Sequence, residues 1–438
     1  MSSASVDFGS RALREEAKND WRRLCVEIGE RRAGTDAERH AANFVVEAFT
    51  AAGLSEVRIE AFPCTSLRGA KAELSELRGR RWRRVEAAPL VGAPGTPGAR
   101  AMEGELVWLE LPEEESRLRP GALRGRILAW FGPLPTSAAV HRRLLAAEPA
   151  AVIHVDERLP FSWAKNDGVY PYWARRYGMP VTLAVPYADA WRWRRDGVRR
   201  LRVRVALDQV AAASHNVMAE RPGRDPSLPA VVLAAHHDTQ CGNPGADDNA
   251  SGVVCVLALA RFLARRPMRR TLRFLSFGAE EQLSVGAAAY VAAERITPAK
   301  VGLIVNFDSV SSPLGHFVLS VAGASDLARH AAGRLAARGV APQVVREVTP
   351  FADQFPFNRV GVPSLLLMRP NFSGGRWQHH SRHDTPENVS LDPVIRLLNA
   401  VAPLVCGYAD GRRWPFPAGL PKAQREAARR LGEELFGI

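Results

Sequence analysis

The sequence predicts an α/β protein: a mostly parallel-stranded sheet sandwiched by helices, interrupted by an inserted β-rich unit. Three observations lead there. From about residue 211 onward, the apolar runs PAVVLAA, TLRFLSF, VGLIVNF and PSLLLM alternate with helical stretches such as SGVVCVLALARFLARR and DLARHAAGRLAARG. Near-continuous apolar strands separated by helices mark a parallel sheet covered on both faces. Between 69 and 210 the texture changes to short strand-like runs among Gly/Pro turns: ELVWLEL, RILAWFG, AAVIHVD, PVTLAVP and LRVRVAL. The length of 438 residues accommodates two domains, so residues 1–68 and 211–438 are read as one domain and 69–210 as the insert.

Taken in order, residues 11–32 and 36–53 read as amphipathic helices separated by RAGT. Thr35 or Asp36 can cap the second helix and Gly53 can end it, and VRIEAF then alternates as a strand does. Within the insert, AAVHRRLLAAE is helix-like. After 211 the βα rhythm runs to a charged helix beginning at about 421.

Composition removes several classes of function. The net charge is +13, but only five of the 59 basic residues are Lys and 54 are Arg. With abundant Ala, that bias reflects a GC-rich coding background. The basic residues are scattered and no nucleic-acid-binding motif surrounds them, so no nucleic acid is expected as a partner. No stretch approaches the roughly 18–20 apolar residues of a membrane span, and the N-terminus MSSASVDFGSRALREEAKND has no apolar signal core. A cytoplasmic location follows as the expectation, with no membrane partner. Five irregularly spaced cysteines, without a CxxC pair, argue against a disulfide framework and a thiolate metal site. Cys241, five residues after His236, could sit near a metal or be a spectator thiol.

The chemistry lies at the ends of the strands. PAVVLAA runs into His236-His237-Asp238, TLRFLSFGA into Glu280-Glu281, and VGLIVNF into Asp308. Ligands of open α/β sheets bind outside the carboxyl ends of the strands. A loop, Gly245-Ala246-Asp247-Asp248-Asn249, precedes a helix, and the cluster His379-His380-x-x-His383-Asp384 follows the last strand. Each alone has an ordinary explanation as solvated charge or a helix cap. So many acids at one sheet edge would repel one another without a cation, and mixed His/Asp/Glu donors suit zinc, with manganese or cobalt as substitutes.

These blocks resemble the M28 zinc aminopeptidases. HHD, PGADDNASG, GAEEQLSVGAAAYV, NFDSV and HHSRHDTPENV resemble that family's successive metal-site blocks in order, and ADQFPFNRVGVPSLLL resembles the block before its last core strand. AGTDAERHAANFVVEAFTAAGL is similar to its opening segment. The resemblance covers residues 30–64 and roughly 211–395. It implies a zinc-exopeptidase fold and two zinc ions held by His236, Asp247, Glu281, Asp308 and His380. Asp247 would be the bridging carboxylate, with a cis peptide between Asp247 and Asp248. Asp238 would hydrogen-bond the His236 imidazole, and Glu280 would be the general base on a metal-bridging water. His379 is the alternative to His380, and Asp353 falls where the family has an acid near the pocket. GRILAW, AAVIHV, GMPVTLAVP and ASHNVMAERPG give the insert a resemblance to the protease-associated domain, a lid or a spacer. The implied substrate is a peptide or small amide cut at its N-terminal residue. A carboxypeptidase or N-acyl amino acid hydrolase shares these metals. A glutaminyl-cyclase-like enzyme and a non-catalytic receptor are the more distant alternatives.

Overall fold

The computed structural model describes residues 7–110, 115–132, 137–155, 167–370 and 378–437. The chain forms two compact units, Met1–Thr65 with Ala211–Arg430, and Ser66–Val210 with Leu431–Ile438.

The first unit is built on a sheet whose centre is parallel. Its strand order is Gln343–Val345, Val318–Ala322, Ser364–Met368, Val301–Phe307, Ala230–His236, Leu272–Phe277, then the C-terminal part of Arg200–Arg221. The Ala230–His236 strand pairs in parallel with Leu272–Phe277 on one side and Val301–Phe307 on the other. Val301–Phe307 pairs in parallel with Ser364–Met368. Antiparallel pairings lie to either side of this centre, Val318–Ala322 against Ser364–Met368 and Val217–Arg221 against Leu272–Ser276. Every residue of the Ala230–His236 and Val301–Phe307 strands is buried, which is why their sequences read as unbroken apolar runs.

Helices cover both faces. The helix Asp36–Ala51 starts where Thr35 Oγ1 accepts the Glu38 backbone N–H at 3.3 Å, a side-chain cap of a free helical amide. Its Ala41, Ala42, Val45 and Phe49 face the core with Val253, Val254 and Leu257 of the helix Gly252–Leu263. The 20-residue helix Leu391–Asp410 is long and apolar enough to cross a membrane. Here Val394, Leu397, Leu398, Val401 and Val405 belong to the same buried cluster, so burial in the core accounts for its composition. The expected helix over 11–32 is divided: Arg11–Arg22 is α-helical and Arg23–Ile28 forms a wider π-type turn.

The second unit has more helix than its sequence suggests. Met102–Glu110, Ile127–Phe131, Ala151–Val155 and Thr182–Val185 run parallel in that order. The helices Ala138–Ala146, Pro171–Tyr177 and Tyr187–Asp196 lie between or after them. The last two are rich in Arg and Trp, and their apolar stripes (Trp173; Ala190 and Trp193) are too narrow to register as periodicity. Leu431–Ile438, expected to stay with the first unit, groups with the second: Trp173 Nε1 donates to the Glu434 carbonyl at 2.6 Å.

Candidate metal centre

Parallel strands place their carboxyl ends along one edge. His236 ends its strand, Asp308 follows Phe307, and a tight turn after Phe277 carries Glu280 and Glu281. Two further segments reach the same place, the loop containing Asp248 and the segment containing His379 and His380. His236 Nε2 stands 3.2 Å from Asp248 Oδ1. Asp248 Oδ2 stands 3.1 Å from His379 Nε2 and 3.5 Å from His380 Nε2. His380 Nε2 is also 3.0 Å from Glu281 Oε2. Among the described residues, two donor groups could each hold a metal ion: His236, Asp248 and Asp308; and Asp248, His379 and His380. Asp248 is common to both.

This arrangement corrects one residue of the expected ligand set. The Asp247 carboxylate accepts from the Ser311 backbone N–H at 2.8 Å, the Ser311 hydroxyl at 2.6 Å and Gln378 Nε2 at 3.3 Å. Asp248 occupies the place expected of Asp247, and the cis peptide likewise joins Asp248 to Asn249. Residue types cannot separate two consecutive aspartates. The backbone does: Asp248 and Asn249 leave helical geometry within the turn, so that Asp247 and Asp248 face different ways. His236, Glu281, Asp308 and His380 are brought together as the sequence anticipates. His379 joins rather than replaces His380, their rings stacked with centroids 3.6 Å apart.

Asp238 is more connected than expected. Its Oδ1 lies 3.5 Å from His236 Nδ1 and accepts the Glu280 backbone N–H at 3.0 Å, while Oδ2 accepts that of Glu281 at 3.3 Å. Asp238 thus holds the imidazole, its backbone carbonyl 3.2 Å and its carboxylate 3.5 Å from Nδ1, and its carboxylate fixes the adjoining pair of glutamates. Glu280 Oε2 lies 3.8 Å from His236 Nε2, and the Ser284 hydroxyl donates to Glu280 Oε1 at 3.3 Å.

The electrostatics favour a cation. Burial pushes the carboxyl groups of Glu280 and Asp353 well above the usual carboxylate range, and that of Glu281 upward, with neighbouring acids adding to the effect. His236 is raised well above its ordinary value: burial opposes its charge, but Glu280, Asp238 and Asp248 outweigh that cost. His236 Nε2, Glu281 Oε1 and both Asp353 carboxylate oxygens are buried and make no hydrogen bond among the described residues. Imidazole and carboxylate donors, without thiolate, fit zinc, so the residues present suit the expected ion.

Residues outside the expected site support it from behind. Glu38 accepts from the Ser214 hydroxyl at 3.1 Å and the His215 backbone N–H at 3.1 Å, and lies 3.0 Å from His237 Nε2. His237, adjacent to His236, is thereby turned into the protein with its Nδ1 3.0 Å from Ser276 Oγ. Nothing in the sequence distinguishes Glu38 from its neighbouring acids. His383 makes no part of either donor group among the described residues.

Residues 216–405 match the family described as Peptidase family M28. The chain is 33% identical over 234 residues to leupeptin-inactivating enzyme 1 of Streptomyces exfoliatus, covering 48% of this chain and 50% of that protein. It is 32% identical over 145 residues to an aminopeptidase of Pseudomonas aeruginosa, covering 32% and 26%. The chain thus spans half or less of the length of these curated relatives. Two solved structures share the fold. An aminopeptidase from Aneurinibacillus sp. strain AM-1 gives a TM-score of 0.72 at 20% identity, covering 94% of this chain and 98% of that one. A peptidase M28 precursor from Shewanella amazonensis gives 0.77 at 18%, covering 95% and 100%.

Proposed function

We propose that this chain, which carries a Peptidase family M28 segment over residues 216–405, is a zinc-dependent aminopeptidase removing N-terminal residues from peptides or small amides. The observation carrying the reading is the position of Asp248, one carboxylate shared by two donor groups. His236 and Asp308 would hold one ion and Glu281 with His380 the other, Asp248 bridging them and His379 standing beside the second. Two such ions, when bound, polarise a scissile carbonyl and acidify a water.

The chain's own residues supply the remainder. Glu280, beside the donor groups and held by the Asp238 contact with its backbone, takes a proton from the attacking water and delivers it to the leaving amine. Asp238 keeps the His236 ring in the orientation that presents Nε2 to the site. The inserted unit is read as protease-associated-like on its strand pattern GRILAW, AAVIHV and GMPVTLAVP.

Metal analysis combined with a substrate panel tests this. About two equivalents of zinc per chain and cleavage of aminoacyl-nitroanilides are expected. Turnover of N-blocked peptides alone would leave a metal hydrolase but sink the aminopeptidase assignment.

A further inference from the structure

The loop that carries Asp248 is gripped in an unusually ordered way by segments far away in sequence. Three successive backbone N–H groups point to one residue: Ala246 donates to the Asp384 carbonyl at 3.1 Å, Asp247 to Asp384 Oδ1 at 2.7 Å, and Asp248 to Asp384 Oδ2 at 3.0 Å. Three successive carbonyls point to the N-terminal region. Pro244 O accepts from Arg31 Nη1 at 2.7 Å, Gly245 O from Arg31 Nη2 at 3.1 Å, and Ala246 O from Trp21 Nε1 at 2.8 Å. Arg31 and Asp384 are both wholly buried. Arg31 also donates to the carbonyls of Leu24, Gly29 and His237, the last of these beside His236.

We propose that Asp384 and Arg31, with Trp21, are positioning residues that clamp the 244–248 loop between a buried carboxyl group on its amides and buried donors on its carbonyls, and so set where Asp248 presents its carboxylate. The proposal rests on the reading of Asp248 as the shared metal ligand. Carboxyl oxygens on the amides and guanidinium N–H groups on the carbonyls hold the loop's peptide dipoles in one sense. Simple loop fastening requires no such convergence of buried side chains on five residues. Asp384 also lies four positions after His380, whose Nε2 is 3.5 Å from Asp248 Oδ2, so a single acid ties together the two segments that meet across one donor group. Gly245 leaves room for the clamp: it is in the left-handed region at φ +63°, and a Cβ there would lie 2.9 Å from Arg31 Nη2 and 2.5 Å from the Asp248 carbonyl.

The decisive comparison is between full-length wild type, Asp384→Asn and Trp21→Phe, each stripped of metal and titrated with zinc against a competing chelator, then with cobalt for its visible absorption spectrum. Asp384→Asn retains the shape but replaces one acceptor oxygen by an amide N–H facing a loop N–H. It is expected to keep the wild-type circular dichroism, to melt lower without metal because a buried N–H loses its acceptor, to bind metal about 10- to 100-fold more weakly, and to shift the cobalt spectrum. A folded Asp384→Asn with wild-type affinity and spectrum overturns the clamp. Where Asp384→Asn does not fold, Trp21→Phe decides, because it removes the donor to Ala246 O while keeping an aromatic ring in the core: about fivefold weaker metal binding supports the clamp and unchanged binding overturns it. A wild type that takes up no metal overturns both the clamp and the metalloenzyme reading, whereas a metal-binding wild type with an unaffected Asp384→Asn removes the clamp alone.

Discussion

Glu38 is wholly buried among Ser214, His215 and His237. Burial alone would raise its carboxyl, but the hydrogen bonds to His215 and His237 hold it at about 2, below the ordinary 4.5. The unfolded chain therefore takes up this proton more readily than the folded one. The group's stabilising contribution is complete above pH about 4.5 and disappears as pH falls from there toward 2. A depression of that size corresponds to about 3 kcal/mol. Glu38→Gln should accordingly flatten the acid limb of a stability-versus-pH curve measured on metal-free protein, while an unchanged limb would remove Glu38 as its cause. Glu280→Gln addresses the chemistry instead. The amide cannot accept the water's proton, so kcat should fall by about 10²- to 10⁴-fold with bound metal unchanged in elemental analysis. Near-normal turnover would displace Glu280 as the base.

Elements decide what single residues cannot. The ends of three buried strands fix His236, Glu281 and Asp308, and an apolar run followed by a polar residue is plain in a sequence. The choice between Asp247 and Asp248 was not legible, because both are buried acids in one turn and only the backbone torsions there turn one toward the imidazoles and the other toward Ser311. Glu38 and Arg31 were equally hidden, since Glu38 meets Ser214, His215 and His237, 176 to 199 residues away, and Arg31 donates to backbone carbonyls, which carry no sequence signal. The turn is also packed without slack. Asn249 Nδ2 donates to the Phe307 carbonyl at 2.8 Å and its Oδ1 accepts the Gly252 N–H at 2.9 Å. A Cβ on Gly252 would lie 2.4 Å from the Phe307 carbonyl and 2.3 Å from Asn249 Oδ1. Gly252→Ala must therefore push the start of its helix away from the strand that leads into Asp308. We expect about 1–3 kcal/mol of destabilisation in denaturant unfolding, together with weaker metal binding in chelator competition. Full metal affinity in that variant would show that the turn can yield without moving its acids.

At the scale of the whole molecule, the sequence changes texture near 69 and 210 and the compact units divide at Thr65/Ser66 and Val210/Ala211, whereas nothing in the sequence marks the allegiance of the C-terminal end. Lys422–Leu431 and the turn after it read as one charged amphipathic segment, yet the last residues complete the second unit. Leu435 is fully buried, the Glu434 carbonyl accepts from Trp173 Nε1, and Glu434 Oε1 accepts the Ala138 backbone N–H at 2.5 Å, where the helix Ala138–Ala146 begins. Removing residues 431–438 deletes one buried Leu and leaves a buried indole N–H and a helix-end amide without their acceptors. These losses together are worth about 3–5 kcal/mol. In a unit of this size that lowers the melting temperature by roughly 6–20 °C. The candidate metal donors all belong to the first unit, so on the proposed reading the truncated chain should bind zinc as the full chain does while a calorimetric scan separates a weakened transition from an unchanged one. Trp130, Trp173 and Trp193 are buried in the second unit, and their fluorescence should follow the lower transition. A truncated chain that melts in a single transition at the full-length temperature would show that the C-terminal turn merely rests against the second unit. One whose metal affinity falls in step with its stability would show that the two units do not unfold independently.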